Sequence, residues 1–126
     1  MAVDVRNAKN IEAIKEHKNT VTSKFYFQFS ELREATEGSY FQFFDECFVE
    51  AGVEIEPHKH NSHEFYYILE GIGIMRVGED SKEVGPADLV HVPANEPHSI
   101  KGGPAGVKFL AFAASFQKEG EGHIPV

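Results

Sequence analysis

Four potential metal ligands constrain the fold of this chain more than any other feature of the sequence. His58, His60 and Glu64 have the same parity, so on an extended strand their side chains point to one face. His98 is remote in sequence and has to come from a different strand. Three imidazoles and one carboxylate make a mixed nitrogen and oxygen ligand set that leaves positions open for water, oxygen or a substrate. The sequence therefore predicts a metal site between strands.

Hydrophobic residues with a period of two indicate that the chain is built mainly from strands. Phe25, Phe27 and Phe29 alternate with Tyr26 and Gln28, as in a strand with one aromatic face. Further candidate strands are residues 40–44, 47–49, 65–69, 72–77, 89–92, 97–100 and 107–116. Residues 10–18 are compatible with a short N-terminal helix, and the glycine-rich residues 102–106 predict a loop. Many short strands separated by Gly and Pro turns predict an all-β sandwich or barrel.

The length of 126 residues predicts a single domain over residues 1–126. Its core is expected at about residues 40–116, after an N-terminal arm (1–24) and before a polar tail (117–126). A net charge of -8 argues against nucleic acid or an anionic membrane as a partner. The first residues lack a signal-peptide core, and the only cysteine, Cys47, cannot form an internal disulfide. These features predict a cytoplasmic protein in which Cys47 is a small buried residue.

The residues around the first three ligands resemble a known motif. Gly52, five residues, His58, one residue, His60, three residues, Glu64, six residues and Gly71 match the first motif of the cupin superfamily. The segment 93–98, from proline to histidine, resembles the core of the second cupin motif. The resemblance covers roughly residues 40–116.

The second motif departs from the cupin pattern at three positions. Ala87 replaces its opening glycine, Asn95 replaces its middle glycine and Gly102 replaces its closing asparagine. Asn is the least costly substitute where a turn requires a positive φ. All four ligand positions are nevertheless filled, so these departures concern the loops and not the metal site.

The resemblance implies a small cupin jelly-roll β-barrel with the metal inside. The implied ligands are His58, His60, Glu64 and His98, and they would hold one divalent transition metal ion. Such ligands suit Fe, Mn, Ni, Co, Cu or Zn, and they do not select among them. We therefore expect a metal-dependent enzyme that acts on a small oxygen-rich or carboxylated metabolite. A dioxygenase is the first choice, followed by a lyase or isomerase, and a non-catalytic metal-anchored binding or sensing protein is the alternative.

Two further residues are candidates for catalysis. Tyr66 shares the parity of Glu64, so its phenol should face the interior, either as a base or as part of the pocket wall. His91 lies between apolar residues, where it is either a pocket residue or a structural or surface histidine. His63 has the opposite parity and is expected outside the coordination sphere, although a turn before Glu64 could redirect it.

The remaining histidines and the aromatic residues have simpler interpretations. His17 and His123 lie in the polar ends of the chain and are expected to be solvated. The chain has eleven phenylalanines, more than a barrel of this size can bury, and surplus apolar surface usually marks an interface. The Phe-rich strands before residue 50 therefore predict a homodimer, which is common among cupins.

Overall fold

The computed structural model describes residues 3–115, except for the side chain of Phe29. It contains one helical turn, one short helix and seven strands. They are a 3-10 turn (Ala8–Asn10), β1 (Ile14–Glu16), β2 (Val21–Phe27), α1 (Phe29–Ala35), β3 (Phe41–Val49), β4 (His63–Val77), β5 (Asp80–Val84), β6 (Leu89–Val92) and β7 (His98–Ala114). The all-β prediction is confirmed.

The two longest strands, β4 and β7, organise the barrel. They pair antiparallel along their whole length, from His63 opposite Ala114 to Val77 opposite His98. The first half of β4 also pairs with β6, and its second half pairs with β5. The second half of β7 pairs with β3, which continues through β2 to β1. Each long strand therefore takes part in two layers, and the layers enclose one core that includes Ile68, Met75 and Ile100. This is the predicted jelly-roll barrel.

Glycines allow β4 and β7 to bend where they pass from one layer to the other. Gly71 and Gly106 have φ angles of +78° and +79°, and the strand register shifts beside Gly71. A Cβ atom on Gly71 would overlap the carbonyl oxygen of Gly106. The loop predicted for residues 102–106 is therefore wrong, because these glycines continue β7 through its bend. Likewise, the strands predicted at 65–69 and 72–77 are one bent strand.

The N-terminal predictions require two corrections. The helix expected over residues 10–18 is wrong, because β1 occupies Ile14–Glu16 and pairs with β2. Three consecutive left-handed residues, 17–19, then form the turn between these strands, and such backbone cannot continue a helix. The strand expected to include Phe29 ends at Phe27. Gln28 and Glu31 form a capping box that begins α1 at Phe29.

Three further points concern the cysteine, membrane-spanning helices and the C-terminal tail. Cys47 is buried, as predicted. No helix within residues 3–115 is long and apolar enough to cross a membrane. The predicted polar tail, residues 117–126, lies outside the described residues, as does His123.

Candidate metal centre

The structure brings the four predicted ligands together at one end of the barrel. One potential ligand atom from each of His58, His60, Glu64 and His98 lies within 4.8 Å of those of the other three. Glu64 lies near the start of β4, and His98 is the first residue of β7. His58 and His60 precede β4 and lie outside the regular strands. The expectation that His58, His60 and Glu64 point to one face of a single strand therefore holds only within β4. An isolated bridge to His98, with backbone hydrogen bonds of 3.1 and 2.8 Å, positions His58 instead.

Backbone carbonyls orient two of the imidazoles. Nδ1 of His58 lies 2.9 Å from the carbonyl oxygen of Glu56, and Nδ1 of His98 lies 3.1 Å from that of Glu96. A carbonyl can only accept a hydrogen bond, so in each neutral ring Nδ1 carries the proton. The lone pair is then on Nε2, the atom available to a metal. This arrangement fixes the tautomer that a metal-binding histidine requires.

Two of the buried ligand atoms have no hydrogen-bond partner, as expected of atoms that bind a cation. Nε2 of His98 lies 2.8 Å from Oε2 of Glu64, but neither atom has a hydrogen-bond partner. His98 is 1 % exposed and Glu64 is 4 % exposed, so water does not compensate them. On the other side of the carboxylate, Nε2 of His60 lies 3.2 Å from Oε1. Two lone-pair-bearing atoms this close repel each other unless a positive charge lies between them, and a metal ion held by these residues would supply that charge.

The protonation of these groups also suits a metal. Burial lowers the pKa of His58 to about 4, so its imidazole is neutral at pH 7. Burial opposes ionisation of Glu64, but the facing imidazoles outweigh it and lower the pKa of this carboxyl group. A neutral imidazole and an ionised carboxylate are the forms that coordinate metals.

The centre opens into a cavity of about 180 Å³ inside the barrel. Three of the metal-ligand candidates line one part of this cavity, and residues of β2 and β3 line another part. The lining residues are Glu16, His17, Val21, Ser23, Phe25, Gln42, Phe43, Asp45, Cys47, Ile55, His58, His60, Ser62, Glu64, Tyr66, Phe109 and Ala111. A cavity in which polar groups converge on a mostly apolar space is typical of a small-molecule site.

The part of the cavity wall on β2 and β3 contains polar groups that the sequence did not reveal. Ser23 donates a hydrogen bond of 2.6 Å to Glu16, and its hydroxyl lies 3.7 Å from the sulfur of Cys47. The Cys47 thiol in turn donates to Oδ2 of Asp45 at 3.3 Å. Burial raises the pKa of Asp45 to about 7, against the hydrogen bond from Cys47. The only available signal was the shared parity of Asp45 and Cys47, which is too common to single out a site.

Tyr66 faces the cavity, as its parity predicts. Its ring stacks on Phe109, with centroids 4.6 Å apart, and meets the ring of His98 edge to face at 6.1 Å. Burial and then the Glu64 carboxylate raise the pKa of its phenol well above the usual value. These contacts fix the ring beside the metal centre and leave both of the predicted roles, base and pocket wall, open.

The structure places the other histidines differently. His91 is exposed on the outer face of the sheet and does not line the cavity, so the pocket role suggested for it is not supported. There its Nε2 lies 2.9 Å from Nδ1 of His63, which also points outward. His17 is exposed, as expected, but its ring stacks on His58 with centroids 4.3 Å apart. His17 therefore covers the metal centre from the β1–β2 turn.

Two departures from the second motif adopt the backbone of the glycines that they replace. Asn95 has a φ of +69° and Ala87 has a φ of +73°. The turn shape is therefore kept, at a conformational cost that is larger for Ala than for Asn. At Gly102 a side chain would collide with the backbone of Glu50, so the closing asparagine has no room here.

Comparison with solved structures shows the same fold. A predicted oxalate decarboxylase from Thermotoga maritima superposes with a TM-score of 0.77 at 23% identity, over 90% of this chain and 100% of that chain. The polyketide cyclase RemF from Streptomyces resistomycificus superposes with a TM-score of 0.72 at 22% identity, over 94% of this chain and 82% of that chain. At such identities the similarity establishes the fold and not the activity.

Two curated proteins share sequence with part of the chain. An uncharacterised protein of Methanocaldococcus jannaschii is 40% identical over 57 residues, which are 44% of this chain and 46% of that protein. The dimethylsulfoniopropionate lyase DddW of Ruegeria pomeroyi is 35% identical over 68 residues, which are 52% of this chain and 45% of the lyase. The matches thus cover about half the length of these relatives.

The family model described as the cupin domain matches residues 46–111, more than half of the chain. The matched region contains both motifs and all four predicted ligands. Together with the jelly-roll barrel, this match shows that the chain belongs to the cupin domain family.

Proposed function

We propose that this protein is a divalent-metal-dependent enzyme that acts on a small carboxylated metabolite. One observation carries the proposal: three imidazoles and a carboxylate converge at the end of a cavity of about 180 Å³. An engineered cavity of about 150 Å³ accommodates benzene, so this one suits a ligand of roughly six to ten non-hydrogen atoms. The names of two similar proteins, a dimethylsulfoniopropionate lyase and a predicted oxalate decarboxylase, both refer to small carboxylates.

The proposed ligands of the ion are His58, His60, Glu64 and His98, and the ion is Fe, Mn, Ni, Co, Cu or Zn. When bound, it would polarise a substrate oxygen or lower the pKa of a coordinated group. The chain contributes the orientation of the ligands. Glu56 and Glu96 hold two imidazoles through backbone carbonyls, and the buried Glu64 keeps a negative charge opposite them. Phe109 and the other apolar lining residues restrict water around a bound substrate.

Within this class, we propose a lyase in which Tyr66 is the base. The phenol lies on the same inner face of β4 as Glu64, close enough to the centre for its ring to contact His98. A cation bound at the centre would lower the raised pKa of the phenol, and the resulting phenolate would take a proton from a carbon of the substrate. The C–H electron pair would form a double bond to the neighbouring carbon, and the leaving group would depart from that carbon with its bonding electrons. Stacking on Phe109 holds the ring in place. The partial similarity to a dimethylsulfoniopropionate lyase supports the same reaction class. The dioxygenase predicted first from the sequence stays a prediction, as does the isomerase.

Replacing Tyr66 by Phe tests the lyase mechanism, because it removes only the hydroxyl. We expect Tyr66→Phe to keep its fold and its metal content and to lose on the order of 10²-fold or more in kcat, the usual contribution of a general base. The assay screens small carboxylates for elimination products and records oxygen uptake in parallel. A turnover substrate on which Tyr66→Phe retains near-normal activity would exclude the tyrosine-based lyase. Oxygen uptake coupled to that turnover would instead support the dioxygenase.

A metal-anchored binding or sensing protein is the alternative from a different class. The sequence predicted two catalytic candidates, Tyr66 and His91. The support for this alternative is that Tyr66 lines the cavity and His91 does not. Tight retention of a metabolite without turnover, by protein with a full metal content, would favour it.

The partner and location predictions are kept as proposals. We propose a homodimer, because the outer face of the large sheet carries a series of contacting rings that includes Tyr26, Phe44, Phe112 and Phe65. Apolar surface of this kind is typical of an interface. Sedimentation of the purified protein would decide between monomer and dimer. We also propose a cytoplasmic location, a small-molecule ligand and no nucleic-acid or membrane partner, as the charge and composition of the sequence predict.

A further inference from the structure

The cavity has a second polar wall that the proposed function does not use. Asp45, near the middle of β3, lines the cavity and is 3 % exposed. Its Oδ2 accepts the hydrogen bond from Cys47, but its buried Oδ1 has no hydrogen-bond partner. A buried acceptor without a donor costs free energy, and an unpartnered group in a native structure calls for an explanation.

The sheet places Asp45 two strands away from β4, which carries Glu64 and Tyr66. In one row, β7 contributes Ala111 between Asp45 and Tyr66. In the next row it contributes Ala113 between Phe43 and Glu64. Strands lie about 4.8 Å apart, so the Cα atoms of Asp45 and Tyr66 are separated by about 10 Å. The small alanine side chains between them leave the space in which a ligand can lie.

We propose that Asp45 binds a hydrogen-bond-donating group, a hydroxyl or an ammonium, at the far end of the same small carboxylate that reaches the metal centre. The inference rests on the proposed function and specifies its substrate class. The neighbouring polar groups of this wall already have partners, since Ser23 donates to Glu16 and Cys47 donates to Asp45. Oδ1 of Asp45 is therefore an acceptor that a ligand in the cavity can use. An apolar terminus at this position would leave Oδ1 unpartnered and would bind more weakly.

The test uses three acids of nearly equal size as probes: pentanoate, 4-hydroxybutyrate and 4-aminobutyrate. They differ at the end remote from the carboxylate, which is a methyl, a hydroxyl or an ammonium group. Their affinities for the Co(II)-loaded protein are measured by isothermal titration calorimetry at about pH 8, where most of the Asp45 carboxyl group is ionised. The visible spectrum of the Co(II) ion reports separately whether each carboxylate reaches the metal.

In the wild-type protein we expect at least one of the two donor-bearing acids to bind about tenfold or more tightly than pentanoate, as a hydrogen bond to a buried charged group implies. The variant Asp45→Leu removes the acceptor and keeps the side-chain shape, so this preference should disappear while the pentanoate affinity and the Co(II) spectrum are kept. Asp45→Asn keeps an acceptor without the charge. It should lose a preference for the ammonium and retain part of a preference for the hydroxyl, and it serves if Asp45→Leu does not fold. Asp80→Asn is the matched control, because this exposed carboxyl group lies on β5 and does not line the cavity, so the preference should change by less than about threefold.

The outcomes separate the two proposals. Equal wild-type affinities for the three acids, or a preference that persists in both Asp45 variants, would overturn the role of Asp45 and leave the metal-anchored carboxylate intact. Failure of all three acids to bind or to alter the Co(II) spectrum would overturn the proposed function and the inference together.

Discussion

The buried Asp45 carboxyl group predicts a stability change with pH whose sign and size follow from its environment. Burial raises its pKa from 3.8 to about 7 in the folded protein. A raised carboxyl pKa means that ionisation opposes folding. The cost is absent below the unfolded pKa, grows as the pH rises between the two values and is complete above the folded one. Asp45→Asn carries no ionisable group at this position, so the variant escapes the cost.

The magnitude follows from the pKa difference. A shift of about 3 units corresponds to about 4 kcal/mol at high pH, since one unit is about 1.36 kcal/mol. At about pH 4.5 the carboxyl group is already largely ionised in the unfolded chain, so part of the cost is present there. The free energy of unfolding of Asp45→Asn, minus that of the wild-type protein, should therefore rise by about 3 kcal/mol between about pH 4.5 and 8.

The assay is urea unfolding of both proteins in the presence of a chelator, so that metal binding does not contribute. Both chains retain His58, whose lowered pKa has the opposite effect on stability, and its contribution cancels in the difference between the two proteins. If the difference in free energy of unfolding stays constant over this pH range, Asp45 is not a buried carboxyl group with a raised pKa. The same conclusion follows if the difference changes in the opposite direction.

Two substitutions at residues with positive φ test the backbone argument with opposite signs. Gly71→Ala should destabilise the protein by at least about 3 kcal/mol in urea unfolding, because it adds left-handed strain and a collision with Gly106. Gly85→Ala, where an added Cβ meets open space, is its control, and equal losses in the two variants would contradict the argument. Ala87→Gly should stabilise by about 1 kcal/mol, which is about 4 °C in Tm, by relieving an alanine at positive φ. A lower melting temperature in calorimetry would show that Ala87 is not strained.

Local spacing, together with the resemblance to the cupin motifs, was enough to predict the four candidate ligands and the barrel. His58, His60 and Glu64 lie within seven residues, so their convergence depends on one short segment. His98 was recognisable because the segment 93–98 resembles a motif, although it pairs with His58 only through an isolated bridge. Asn95 was assigned a left-handed turn from its chemistry alone, and its φ of +69° agrees.

The parts that could not be predicted depend on contacts between residues that are distant in sequence. Asp45 acquires its significance from burial and from Ala111, sixty-six positions later, across a strand pairing that no local pattern encodes. The glycines of residues 102–106 predict a loop by composition, and only their pairing with β4 makes them part of a strand. In the same way, the outward direction of His91 depends on the register between β6 and β4, which apolar neighbours on both sides do not reveal.

The central claim is that His58, His60, Glu64 and His98 hold one metal ion. Titration of the chelator-treated protein with Co(II), followed by visible absorption, measures it most directly. The account predicts saturation at one ion per chain in the wild-type protein and in His63→Ala, whose imidazole points outward, and strongly weakened binding in His98→Ala. Absence of stoichiometric binding in the wild-type protein, or undiminished binding in His98→Ala, would contradict it.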